Sequence, residues 1–141
     1  MPLTVVIGKN LDESNPRATA ARDLFLTMYE AQSESETNKI KQIIESDPNL
    51  LYSLYLDKTP LEHSIYFKSW NVAKLFIELE DKDRLIKHYT ESPVINLMVE
   101  HNAPALLIQL ALTKQPLLWQ TLSPKNKTNL EKLSIFKKFL L

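Results

Sequence analysis

Apolar residues recur along this chain in short stretches at helical spacing, separated by polar breaks. Leu24, Phe25, Met28 and Tyr29 share one face and predict a helix from about Thr19 to Gln32. Ile40, Ile43 and Ile44 line a second helix that must stop before Pro48. Leu61, Ser64 and Ile65 predict a short helix after Thr59-Pro60. There the Thr59 hydroxyl can cap the first turn, and Pro60 fills a position that needs no N–H. Val72, Ala73, Leu75, Phe76 and Ile77 make the next apolar face. Residues 105–112 are apolar apart from Gln109, as in a helix buried from two sides. Leu130 to Leu141 reads as a final helix, and Leu61, Leu75 and Ile108 as core positions. Residues 80–89 are charged, with room for one extra helical turn. Leu50 to Leu56 reads as a loop rich in large apolar groups. Leu3 to Ile7 is β-branched and reads as a short strand with no evident partner.

The turn before the third helix recurs. Asp57-Lys58-Thr59-Pro60-Leu61 is followed 33 positions on by Ser92-Pro93-Val94, and 36 further on by Asn126-Lys127-Thr128-Asn129-Leu130. The approach segments match too: Asp47-Pro48-Asn49-Leu50-Leu51-Tyr52 against Gln115-Pro116-Leu117-Leu118-Trp119. Two short helices per unit of about this length is the sequence signature of a stacked repeat array.

On these residues the chain resembles the ankyrin-repeat family over roughly residues 35 to 141. Thr59-Pro60-Leu61 matches the family's Thr-Pro-Leu-His, with Glu62 at the histidine. Ser64 and Ile65 stand at its small-residue pair, and Lys68-Ser69 at its Gly-His. The second copy keeps Ser92-Pro93 but has Val94 and Ile95; the last keeps Thr128 and Leu130 but has Asn129 for proline. The resemblance implies an all-α fold, a solenoid of about three to four helix-turn-helix repeats in one domain, 1–141. Its first helix pair (about 18–46) would be degenerate and its last repeat (about 126–141) truncated. It also implies a protein–protein interaction module, an adaptor that recognises its partner through a concave face. Tyr66 and Phe67 fall at the variable positions of the first helix, with Val99 and Glu100, then Ile135 and Phe136, as counterparts. Turn-tip counterparts are Tyr55, Leu56 and Lys58, and Lys125 and Lys127 in the last copy. The expected partner-binding set is Tyr55, Lys58, Tyr66, Phe67, Val99 and Glu100.

Composition narrows the chemistry. Apolar residues make up 44% of the 141, enough for a core. There is no cysteine, which removes disulfides, cysteine-bound zinc and a thiol nucleophile. It also fits a reducing compartment, so the expected location is cytoplasmic, or the host-cell cytoplasm for a pathogen's protein. The amino terminus carries no charged-then-apolar run of signal-peptide type, and no apolar run reaches membrane-spanning length. A single glycine excludes glycine-rich phosphate loops, so the repeat turns are expected to use Asp57 and Asn126. His63, His88 and His101 lie in three separate settings without metal-ligand spacing; no metal and no cofactor is expected. Glu78, Glu80, Asp81 and Asp83 read as a solvated helix end. Net charge is zero, but residues 114–141 carry six basic groups and one acidic. That end suits an acidic partner or a solvated cap; without a basic stripe along the chain, nucleic acid is not an expected partner. The leading expectation is therefore a binding module and not an enzyme. The alternative, a small helical enzyme or the regulatory domain of one, would require a cleft where two ionisable groups converge.

Overall fold

The computed structural model describes residues 6–7, 16–30, 34–87 and 93–139. Expectations that involve Leu3, His88, Ser92 and Leu141 lie outside those residues. In chain order the elements are β1 (Val6–Ile7), α1 (Pro16–Glu30), α2 (Glu34–Ser46), a 3-10 turn (Pro48–Tyr52) and β2 (Leu54–Tyr55). Then come α3 (Pro60–Tyr66), α4 (Trp70–Leu79), α5 (Arg84–Lys87), α6 (Val94–Glu100) and α7 (Ala105–Lys114). The chain continues through α8 (Leu118–Thr121) and α9 (Pro124–Glu131) to a second 3-10 segment (Ser134–Phe139). The fold is all-α. Among the described residues the only sheet is a two-residue parallel pair, with Val6 opposite Leu54 and Ile7 opposite Tyr55. The amino-terminal strand thus has a partner after all, in the segment read as a loop.

Helices pair as α1 with α2, α3 with α4, and α6 with α7. The pairs stack: α3 packs on α6 and α6 on α9, while α2 packs on α4 and α4 on α7. Apolar side chains fill the space between these rows. Leu24, Ile40, Leu61, Ile65, Phe76, Ile77, Ile95 and Met98 are all 2% exposed or less. Leu61 and Ile108 are buried as expected. Leu75 is not; it lies half-buried at the margin, because Phe76 and Ile77 take the inward directions of α4.

The start of α3 shows how local chemistry sets the register. Thr59 is the N-cap and Pro60 the first helical residue. Thr59 Oγ1 accepts from the Glu62 backbone N–H at 3.3 Å, and Glu62 Oε1 accepts from the Thr59 N–H at 3.0 Å, a complete capping box. The last copy has the same grammar in a different place. α9 is capped by Ser123, whose hydroxyl accepts from the Asn126 N–H at 3.2 Å, with Pro124 next. This corrects the expected boundary at Asn126-Lys127-Thr128. Asn126 and Thr128 lie inside the helix, where Thr128 donates its hydroxyl back to the Pro124 carbonyl at 2.9 Å. The expected long terminal helix is correspondingly two elements, α9 and the 3-10 segment.

The ends of α3 and α6 match bond for bond, 34 positions apart. Lys68 and Asn102 both take positive φ, 56° and 62°. Ser69 N–H bonds the Ser64 carbonyl at 2.8 Å as Ala103 N–H bonds Met98 at 2.9 Å. Lys68 N–H bonds Ile65 at 3.0 Å as Asn102 N–H bonds Val99 at 3.1 Å. Both are Schellman closures, which favour glycine at the left-handed residue. Asp57 does bend its turn at φ 62°, beside Leu56 at 51°. A left-handed lysine is strained by its Cβ. Lys68→Gly is therefore expected to stabilise the protein by about 1 kcal/mol, read as a rise in the urea midpoint at constant slope.

A third recurrence follows each second helix. Asp47, Asp81 and Gln115, spaced 34 apart, each accept from the backbone N–H two residues on: Asn49 at 3.3 Å, Asp83 at 2.8 Å and Leu117 at 3.2 Å. Their carbonyls accept in turn from Leu50, Arg84 and Leu118 at 3.0, 3.0 and 3.1 Å. The Lys114 ammonium crosses between stacked helices and donates to the Ile77 and Glu78 carbonyls at 2.6 and 2.7 Å, closing the carboxyl end of α4. Lys114→Met keeps the stem and removes this clamp. It is expected to cost about 1–2 kcal/mol in chemical denaturation.

Candidate functional site

The expected binding residues collect where α3 and α6 end and the Leu54–Lys58 turn begins. That turn is closed by reciprocal backbone bonds, Tyr55 N–H to the Lys58 carbonyl at 3.0 Å and Lys58 N–H to the Tyr55 carbonyl at 3.1 Å. It lifts Leu56 to 68% exposure. Tyr66, the last residue of α3, is half-buried. The Lys58 ammonium lies 5.3 Å from its ring centroid, and the His101 ring meets it edge-on at 4.7 Å. Tyr66 therefore belongs in part to the contact between stacked units. Phe67 is different: it caps α3 and stays 60% exposed, with its ring meeting Tyr29 edge-to-face at 5.0 Å.

Val99 is half-buried against the core. Glu100 is exposed, and its Oε1 accepts from Asn126 Nδ2 at 3.3 Å. The structure thus brings Lys58, Tyr66 and His101 together and sets Phe67 beside Tyr29. The counterparts in the last copy do not join this strip as expected. Phe136 is buried at 0% and Ile135 sits in the second 3-10 segment, because α9 begins earlier than the sequence suggested. Lys125 and Lys127 likewise lie in α9 and not at a turn tip.

Behind the strip is an aromatic cluster that sequence reasoning did not assemble. His63 is 4% exposed. Its ring touches Phe25, Tyr55 and Tyr29, with centroids at 5.2, 5.6 and 6.3 Å. Nε2 lies 2.7 Å from the Tyr55 carbonyl oxygen and Nδ1 3.4 Å from the Tyr29 hydroxyl. Burial pushes the imidazole pKa below its ordinary value, and the carbonyl bond only partly offsets that. Burial also raises the Tyr29 phenol, with the nearby Tyr55 adding to it. His63 is thus a neutral, hydrogen-bonded histidine joining α1, α3 and the turn. The spacing signal for it was local: His63 follows Glu62 on the buried side of the capped helix.

A cleft of about 230 Å³ opens beside this cluster, between Tyr29 and Met28 of α1, His63, Ser64 and Phe67, and Ser69 and Val72 at the start of α4. On the other helix row, Trp70, Lys74, Pro104, Leu106, Leu107 and Leu110 border a groove of about 330 Å³. Trp70 is half-buried at the head of α4, as a junction residue.

Two buried polar networks were also missed. Tyr52 donates its hydroxyl to Glu80 at 2.5 Å, and Arg84 stacks on the ring at 4.7 Å. Burial first, then this bond, raises the Tyr52 pKa to about 12. Glu80 is consequently buried, unlike the solvated residue expected. At the other end Asn96 and Asn126, both at the third position of their helices, are 8% and 4% exposed and bonded to each other at 2.9 Å. Among the described residues no group of three or more His, Asp or Glu could hold a metal ion, and no helix is long and apolar enough to cross a membrane. No protein-family model, no curated protein and no solved structure matches this chain.

Proposed function

We propose that this chain is a divergent ankyrin-like repeat module that binds another protein, an adaptor working in the cytoplasm. Its binding face is the concave side carrying Tyr55, Lys58, Tyr66, Phe67, Val99 and Glu100. The observation that carries this is the recurrence of the same hydrogen-bonded turn at Lys68 and Asn102, with α3 stacked on α6. Equivalent positions of successive units are thereby aligned into one strip. Phe67, 60% exposed, and Leu56, 68% exposed, give that strip apolar anchors, and Lys58 and Glu100 give it a polar rim.

The test is a photo-crosslinking amino acid placed at position 67 and, separately, at position 106. Leu106 is 75% exposed on α7, in the other helix row. Position 67 is expected to capture one dominant protein from cell extract, and position 106 is not. Equal capture at both positions would contradict the assignment of the face.

A further inference from the structure

The cleft between α1, α3 and α4 presents two hydroxyl oxygens, of Tyr29 and Ser64, as hydrogen-bond acceptors. Facing the Tyr55 carbonyl oxygen at 2.7 Å, His63 Nε2 must hold the ring's proton. Nδ1 of the neutral ring is then an acceptor, so the Tyr29 hydroxyl 3.4 Å away donates to it. Ser64 donates its hydroxyl to the Leu61 carbonyl at 2.7 Å. The Tyr29 and Ser64 hydroxyls have therefore committed their single hydrogen and retain only lone pairs for a guest, whereas the Ser69 hydroxyl at the start of α4 makes no cap bond and can donate or accept. Among the described residues, no lysine, arginine, aspartate or glutamate lines the cleft. Its floor is deeply buried, with Ser64 and Val72 at 2% and Met28 at 6%, whereas Phe67 and Tyr29 at the mouth are 60% and 42% exposed. Those two rings stand at 89° to one another and form an aromatic corner.

Such a site fits an uncharged guest with a flat apolar body and one hydrogen-bond donor. The volume, about 230 Å³, falls below the usual range for whole small-molecule ligands and suits a single side chain. Resting on the partner-binding role proposed above, and sharing Phe67 with that face, we propose that this cleft receives a tyrosine side chain of the protein partner. The guest ring packs against Phe67 and Tyr29. Its phenol O–H donates to the Tyr29 or Ser64 oxygen. A carboxylate brings no donor to the Tyr29 and Ser64 oxygens; a phenylalanine fills the space but leaves both acceptors unpaired.

The test is an NMR titration of the full chain with three probes: N-acetyl-tyrosinamide, N-acetyl-phenylalaninamide and acetate. The tyrosine probe is expected to shift the backbone amides of Tyr29, Ser64, Phe67 and Ser69 saturably. It should bind about 3- to 10-fold tighter than the phenylalanine probe, the ratio one neutral hydrogen bond supplies. Combining Tyr29→Phe with Ser64→Ala should remove that preference. Phe67→Ala, at an exposed ring, should weaken both aromatic probes while leaving the circular dichroism spectrum unchanged. Equal affinity for the two aromatic probes, shifts confined to other regions, or acetate occupying this cleft through the start of α4 would each overturn the proposal. If the tyrosine probe binds here while crosslinking places the partner on the other helix row, the cleft stands and the proposed binding face falls.

Discussion

Phe76→Ala is expected to destabilise the protein by about 3–5 kcal/mol. Phe76 is 0% exposed near the middle of α4, the helix that packs on α2, α3 and α7 at once. Removing its ring loses the transfer free energy of the side chain. It also leaves a cavity that no single neighbour can collapse to fill, since three helices hold it open. A domain of this size holds roughly 5–15 kcal/mol in all, so this one change removes a large share. Urea unfolding should show a much lower midpoint with an unchanged slope. Phe67→Ala is the control, because an exposed ring should shift stability by no more than about 0.5 kcal/mol.

The second large effect concerns the joint between α6 and α9. Asn96 Nδ2 donates to the Thr121 carbonyl at 2.9 Å. Its Oδ1 accepts from the Ser123 backbone N–H and from Asn126 Nδ2, each at 2.9 Å. Asn96→Ala takes this partner from the part-buried Thr121 carbonyl and Ser123 N–H and leaves Asn126 Nδ2 with only its 3.3 Å bond to Glu100. It is expected to cost about 2–4 kcal/mol, because groups left unpaired forfeit more than the bond itself contributes. Since Asn96 and Asn126 belong to one network, Asn126→Ala should add little in the Asn96→Ala background. Fully additive losses in that double-mutant cycle would show that the two amides act separately.

How legible this was in the sequence depended on whether the physics was local. The start of α3 was readable because Thr59 and Pro60 act within one turn, although the reciprocal half of the cap, Glu62, went unrecognised. The same pattern in Ser123-Pro124-Lys125-Asn126 was available and was passed over for Thr128, which shifted the last copy by a turn. Left-handed turns were anticipated at Asp57 and Asn126; Asp57 has one, Asn126 lies inside α9, and those at Leu56, Lys68 and Asn102 were not anticipated. At Leu56 and Lys68 the fold overrides residue preference in a chain with one glycine, whereas asparagine at 102 tolerates left-handed backbone.

Non-local pairings were beyond reach. Nothing near Val6 announces Leu54, and nothing near Tyr52 announces Glu80. The candidate site divides the same way. Phe67 was placed on the surface by its register. Tyr66 proved to be shared with His101 of the next unit, and the cleft at Tyr29, His63 and Ser64 arises only when α1 docks against α3.

The most direct measurement is the affinity of the captured partner for the double variant Tyr66→Ser/Phe67→Ser, by calorimetry, beside a thermal melt of the same variant. A loss of about 1–2 kcal/mol or more in binding is expected, at least five- to tenfold, with the fold retained at the assay temperature. Undiminished affinity in a folded variant would contradict the binding face. A variant that unfolds would mean that this pair serves to hold the stacked units together.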